Sequence, residues 1–235
     1  MNFIKHIIEP NHLILSWQSK SRLRLFVAKL TRHNGDCDLL YLTDHPDYKQ
    51  AVTEGFNGYP AFPISQTNYT NVMDVFKRRI PQRARADFDQ YLQPLRIPAG
   101  SSISDFALLG YSGAKLPDDG FFIFHPFDNH NEEPCELMTL VAGFRHYPTA
   151  MKLLTEKKLG VGSPVLIESE PNNEYDSLSV QVIFEGIKLG NLNRGFLPSA
   201  NEWIKQKRII SADIERINGD SEHPKVYIFL KVGAK

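Results

Sequence analysis

Glu170-Pro171-Asn172-Asn173-Glu174-Tyr175-Asp176 stands between two β-rich runs, Ser163 to Glu168 and Leu178 to Phe184. Proline, asparagine and aspartate are turn formers, and asparagine tolerates the left-handed conformation. The segment therefore reads as the turn that joins two strands. Its composition supports two uses. Its polar groups can simply satisfy the turn's own backbone. Alternatively, Tyr175 offers a face for stacking while Asn172, Asn173 and Asp176 offer hydrogen bonds to a sugar or base. Stacking on an exposed aromatic contributes about 1–3 kcal/mol per base and tolerates many sequences.

Outward from this turn, short apolar runs recur between turn signals. Thr139 to Phe144 reads as a buried strand, and Glu185-Gly186 makes a tight turn into a strand over Ile187 to Leu192. Ile209 to Ile217 and Val226 to Val232 complete six strands. Pro148 to Leu159 begins with proline and ends before Gly160, the usual asymmetry of a helix. Pro198 to Lys207 is a second helix with Trp203 and Ile204 turned to the core. Six short strands with two inserted helices predict a small curled sheet or partly open barrel.

The polar, proline-containing stretch from Asp128 divides this region from the rest. The expected organisation is an N-terminal domain over 1–127, a linker over 128–136 and a C-terminal domain over 137–235. The N-terminal part predicts strands over His12 to Trp17, Arg22 to Leu30, Leu39 to Leu42 and Phe121 to Phe124. Helices are expected from Thr43 or Asp44 to Glu54, from an Asn71 cap to Pro81, over Arg83 to Gln93, and over Ile103 to Leu109. The fold class is α+β, the second domain being barrel-like.

Basic and acidic residues number 27 each, so no global field draws a polyanion. Strong non-specific duplex binding, which depends on releasing many counterions, is disfavoured; a small local site gripping a strand end is not. Two cysteines, Cys37 and Cys135, are too few for a disulfide framework. The first seventeen residues mix charged groups with apolar ones, unlike a signal peptide, and no apolar run nears the roughly 20 residues that span a bilayer. The expectation is a cytoplasmic protein without membrane partners.

Gly143-Phe144-Arg145-His146-Tyr147 upstream of the turn, and Leu189-Gly190-Asn191-Leu192-Asn193-Arg194 downstream, complete an ordered set. Together with the Pro-x-Asn-x-Tyr-Asp turn they resemble the HIRAN domain over residues 137–233. That family carries a glycine and a basic–aromatic pair on its first strand, and a later glycine-bearing strand followed by a basic residue. Its members occur in DNA-repair helicases and as stand-alone bacterial proteins, and the best understood hold the 3′ end of single-stranded DNA. The resemblance implies that Asp176 accepts a hydrogen bond from a terminal 3′-hydroxyl and Tyr175 stacks on the last base. It implies further that Asn173 fixes the sugar or base, with Asn172 beside it, and that Arg145 and Arg194 meet phosphates. Phosphate contacts of this kind position a strand without reading sequence. Where the DNA-end binders have a second tyrosine, this chain has His146, a smaller stacking surface that titrates near neutral pH. Tyr147 takes its place only if the strand slips by one residue.

Phe76-Lys77-Arg78-Arg79-Ile80-Pro81 and Ser104-Asp105-Phe106-Ala107-Leu108-Leu109-Gly110 are similar to the N-terminal subdomain of HipA-type toxin kinases. No kinase core follows, so that resemblance implies a docking module for a protein partner. The cluster Lys77, Arg78, Arg79, Arg83 and Arg85 is either a solvated helical face or an extension of a nucleic-acid path. Lys205-Gln206-Lys207-Arg208 is open to the same two readings. Ser112-Gly113-Ala114-Lys115 fits Ser-x-x-Lys, but the partner motifs are absent. His125, His130 and Cys135 are donor types zinc accepts, at a spacing that matches no structural zinc site. No cofactor, metal or catalytic set is expected. The sequence reading is a non-enzymatic binder of single-stranded DNA; the alternative is a protein-interaction adaptor in a toxin–antitoxin or defence system.

Overall fold

The computed structural model describes residues 2–117, 119–128 and 132–235. Part of the expected linker, including His130, lies outside the described residues. The chain divides into two compact units. One comprises Ile8–Leu95 and Ala99–Asn129; the other comprises His130–Lys235 together with Met1–Ile7 and Arg96–Pro98. The last two segments lie, in sequence, in the N-terminal half.

In the first unit, strands β1 (His12–Gln18), β2 (Arg24–His33) and β3 (Asp36–Tyr41) form an antiparallel meander. Helix α1 (Pro46–Thr53) follows, then the short strands β4 (Gly58–Tyr59), β5 (Phe62–Pro63) and β6 (Asn68–Tyr69). Helices α2 (Met73–Lys77), α3 (Phe88–Leu92) and α4 (Asp105–Ser112) precede β7 (Phe121–Phe124). The main sheet runs β6-β3-β2-β1-β7, with β4 paired to β5 beside it. Alternation on β1 buries Leu13 and Leu15. On β2 Leu25 and Val27, then Ala28 and Leu30, are buried, the register shift opposite Leu15 and Ser16 breaking the alternation between the two pairs. Leu39, Phe76, Leu108 and Leu109 are buried in the same unit.

Several helix boundaries differ from the sequence expectation, for local reasons. The cap of α1 is His45, whose Nδ1 accepts from Asp47 N at 3.1 Å, rather than Thr43 or Asp44. Pro46 at the first helical position forces its predecessor into extended backbone, which is the cap conformation. Asn71 does not cap α2, because it sits at φ 55°. Asp36 of β3 instead accepts from Met73 N at 3.0 Å. The expected helix over Arg83 to Gln93 forms only at Phe88–Leu92, with a 3-10 turn at Gln93–Leu95. Its would-be first turns are replaced by the contacts Arg85 N to Gln82 O and Phe88 N to Arg85 O, each 3.1 Å.

In the second unit, β8 (Cys135–Leu140) is followed by a 3-10 turn at Phe144–His146 and helix α5 (Pro148–Thr155). Strands β9 (Leu166–Ser169), β10 (Val180–Phe184) and β11 (Ile187–Asn191) lead to a 3-10 turn at Arg194–Phe196 and helix α6 (Leu197–Lys205). Strands β12 (Ile209–Asn218) and β13 (Lys225–Val232) close the chain. Two three-stranded antiparallel sheets result, ordered β11-β10-β9 and β12-β13-β8. Isolated bridges link them, Ala142 to Asn191 and Pro164 to Asp213. Gly190 explains the first bridge: at φ 152° a Cβ would run into the Ala142 carbonyl oxygen and lie 2.8 Å from Val141 Cγ1. Only glycine lets β11 approach the segment after β8 so closely. Trp203 is fully buried, as read from the sequence, whereas Ile204 is only half-buried.

Arg145 and His146 lie on the 3-10 turn, not on the first strand as expected. Strand β8 stops at Leu140, and Gly143 adopts φ 77° at the head of the turn. Two-residue alternation therefore does not govern Arg145, His146 and Tyr147, and the strand-slip argument for Tyr147 falls away.

Candidate nucleic-acid interface

Strand β9 ends at Ser169, and the loop to β10 is held from inside. Glu170 N donates to Ser179 O at 2.7 Å and Asn173 N to Glu170 O at 3.0 Å, closing the loop at its base. Asn173 is half-buried; its Oδ1 accepts from the backbone N–H groups of Tyr175 and Asp176 at 3.0 and 3.2 Å. Its Nδ2 donates to Glu170 at 2.7 Å. The amide that sequence reading offers to a ligand is thus engaged within the loop. Asp176 Oδ1 accepts from Leu178 N at 2.9 Å, an Asx turn that ends the loop.

Tyr175 projects from this braced loop with 94% of its surface exposed. Asn172 and Glu174 are exposed beside it. Arg194 Nε stands 3.5 Å from Asp176 Oδ2, so an acceptor and a cation sit together at the end of the tyrosine's loop. Arg194 is placed there by Asn193, whose side chain accepts from Gly195 N at 3.2 Å and caps the 3-10 turn. Arg145 and His146 are exposed neighbours, 3.3 Å apart at Arg145 Nε and His146 Nε2. Of the residues singled out in the sequence, Asp176 and Arg194 are brought together, and Asn173, Tyr175 and Asp176 share one hydrogen-bonded loop.

Sequence reasoning missed the cluster behind the loop. Glu170 receives Lys188 Nζ on both oxygens, at 2.6 and 2.7 Å. Its Oε2 also accepts from Asn191 Nδ2 at 3.1 Å and Ser179 Oγ at 3.3 Å. Asn191 Oδ1 in turn accepts from Tyr147 Oη at 3.2 Å, and Lys188 Nζ lies 5.5 Å from the centre of the Tyr147 ring. Burial alone would raise the Glu170 carboxyl, but hydrogen bonds from Lys188, Asn173 and Asn191 hold it below its ordinary value. Burial opposes the Lys188 charge likewise, and hydrogen bonds to Glu170 and Tyr147 outweigh it and raise its pKa. Asn191 was within a quoted motif, but nothing in a sequence shows that residues 147, 170, 179, 188 and 191 converge.

Several of the remaining candidates are occupied otherwise. Arg208 is buried, donating to the Gly233 and Glu133 carbonyls at 2.9 and 2.7 Å, so the run from Lys205 does not present it outward. Arg79 is buried too, paired with both oxygens of Asp119 at 2.6 and 2.9 Å. Arg83 reaches Asp105 and the Ile103 carbonyl, and Arg85 pairs with Asp87. Ser112 Oγ turns back to Leu108 O at 2.7 Å. His125 is buried, with Nε2 3.1 Å from Ile8 O and Nδ1 accepting from Phe127 N at 3.0 Å. Burial pushes the Cys135 thiol up to about 12. Among the described residues no three His, Cys, Asp or Glu side chains are grouped to hold a metal ion, and no helix is long and apolar enough to cross a membrane.

No protein-family model and no curated protein matches the chain. Among solved structures, a protein from Lactobacillus plantarum is similar at 23% identity and a TM-score of 0.34, over 43% of this chain and 98% of that one. The HIRAN domain of human HLTF is similar at 18% identity and a TM-score of 0.29, over 42% of this chain and 76% of that one.

Proposed function

We propose that the C-terminal unit binds single-stranded DNA and receives its 3′ end at the loop of residues 171–176, with no catalysis of its own. The observation that carries this reading is Tyr175, 94% exposed on a loop whose backbone is hydrogen-bonded on both sides of it. A large aromatic ring held in water on an ordered turn contributes nothing to the core. It is a ready platform for a base, and with its backbone already held only the ring's own rotamers need ordering when one stacks there.

The Asp176–Arg194 pair supports an end-binding role. A carboxylate repels phosphates but accepts from a hydroxyl, while a guanidinium does the reverse. Set 3.5 Å apart, the two suit a terminus that carries a hydroxyl next to its last phosphodiester. Arg145, exposed on the 3-10 turn, supplies a further phosphate contact in this reading. With basic and acidic residues equal at 27 each, the grip is local. Two phosphate contacts imply a shallow log–log salt slope of about −1.4 for a single strand.

Fluorescence polarisation with 5′-labelled oligonucleotides tests the reading. An oligonucleotide ending in a 3′-hydroxyl is expected to bind more tightly than the same strand ending in a 3′-phosphate, and a circular strand to bind weakly. Equal affinity for all three overturns end recognition.

A further inference from the structure

The proposed strand-binding role uses the face of the loop and leaves unexplained the polar cluster behind it. Glu170 is the centre of that cluster, receiving Lys188, Asn173, Asn191 and Ser179. An ionised carboxylate only accepts hydrogen bonds. It therefore dictates which way its amide neighbours face. Asn173 must turn Nδ2 toward Glu170, which leaves Oδ1 to receive the N–H groups of Tyr175 and Asp176. Asn191 must turn Nδ2 the same way, which leaves its Oδ1 to receive the Tyr147 hydroxyl.

We infer that Glu170 is the positioning residue of the strand-binding loop: by orienting Asn173 it sets the backbone at Tyr175 and Asp176, and so where the ring and the carboxylate point. This inference rests on the strand-binding reading above. Lys188 has a defined part in it. An unneutralised carboxylate behind a phosphate-binding surface would repel the ligand. The two-oxygen contact of Lys188 removes that charge while leaving Glu170 an acceptor. The same centre reaches the three segments that carry the proposed contacts. They are the 3-10 turn through Tyr147, the loop through Asn173, and the strand leading to Arg194 through Lys188 and Asn191. Of the cluster's residues only Ser179 is buried, while Tyr147, Glu170, Asn173, Lys188 and Asn191 are half-buried, so the cluster sits under the site rather than in the core.

The test uses the full chain with Glu170→Gln, Asn173→Ala and the double variant. Two quantities are read: Kd for a 5′-labelled oligothymidylate, and amide hydrogen exchange at Tyr175 and Asp176, with Val182 on β10 as the internal control. Loss of one charge-assisted hydrogen bond corresponds to a change of about tenfold. Glu170→Gln is expected to speed exchange at the two loop amides by about that factor, raise Kd similarly, and leave Val182 unchanged. Because Glu170 acts through Asn173, the double variant is expected to bind no more weakly than Asn173→Ala alone. Additive losses overturn the positioning role, as does an equal speeding at Val182, which would make Glu170 merely structural. A wild-type chain that binds no oligonucleotide overturns the strand-binding role itself. A wild-type chain that binds only as well as Glu170→Gln overturns the positioning role alone.

Discussion

Arg79 and Arg78 are adjacent and chemically identical, yet one is buried and the other exposed. Arg79 reaches Asp119, the Ala114 and Phe121 carbonyls and the Tyr59 hydroxyl, and its guanidinium lies 5.7 Å from the Tyr59 ring centre. Arg79→Met is expected to destabilise by about 3 kcal/mol, the low end for breaking a buried pair, because Asp119 keeps access to water. Arg78→Ala is expected to stay within about 0.5 kcal/mol of wild type. Urea unfolding of both variants checks the contrast, and equal losses contradict it. The distinction was not legible in the run Phe76 to Pro81. What decides it is a carboxylate forty positions along the chain, and the basic run as written fits a solvated face equally well. Tyr175 is the opposite case: its turn chemistry alone marked it as exposed.

At the scale of elements, periodicity located β1, β2, β7 and the strands from β9 to β13 to within a few residues, because alternation and turn residues are local signals. Boundaries failed where a distant group supplies the cap, as Asp36 does for α2, or where a proline moves it, as Pro46 does for α1. The 3-10 turn at Phe144–His146 failed for a related reason. Its apolar residue, Phe144, is buried as a strand residue would be, but Gly143 at positive φ ends the extended backbone. The loop of residues 171–176 was legible as a turn, whereas its brace was not. That brace has a definite pH range. The Glu170 pKa is depressed below 4.5 in the fold, so its contribution is complete above 4.5 and lost as pH falls through the depressed value. The Lys188 pKa is raised above 10.5, so its contribution is complete below 10.5 and lost as pH rises through the raised value. The amide chemical shifts of Tyr175 and Asp176 are therefore expected to report an intact brace throughout that window. Loss of the brace inside it contradicts the account.

At the scale of the whole chain, periodicity and turn signals indicated the observed mixture of helix and sheet, but the first residues show what a linear reading cannot supply. Asn2 gives its backbone N–H and its side-chain amide to Glu215, at 3.3 and 2.7 Å. Lys5 N and His6 N both donate to Glu136 at 2.9 Å, and Arg96 Nε lies 2.7 Å from Glu215. Glu136 and Glu215 are both buried, on β8 and β12. Deleting residues 1–7 leaves Glu136 without those donors. The expected cost is about 2–4 kcal/mol, the penalty for unpaired buried charge. Thermal unfolding followed at Trp203 checks this, and an unchanged midpoint contradicts it. No periodicity or motif in the first seven residues announces that attachment, since its partners, Arg96, Glu136 and Glu215, come from about ninety to over two hundred positions later.

The proposed function depends most on one ring. Titration of a 5′-labelled, 3′-hydroxyl oligothymidylate with wild-type protein and with Tyr175→Ala, followed by fluorescence polarisation, tests it most directly. The account predicts saturable binding by wild type and a Kd about tenfold or more higher for the variant, the loss of one stacked base, with both proteins unfolding at the same temperature. Identical curves for the two proteins, or no binding by wild type, would contradict it.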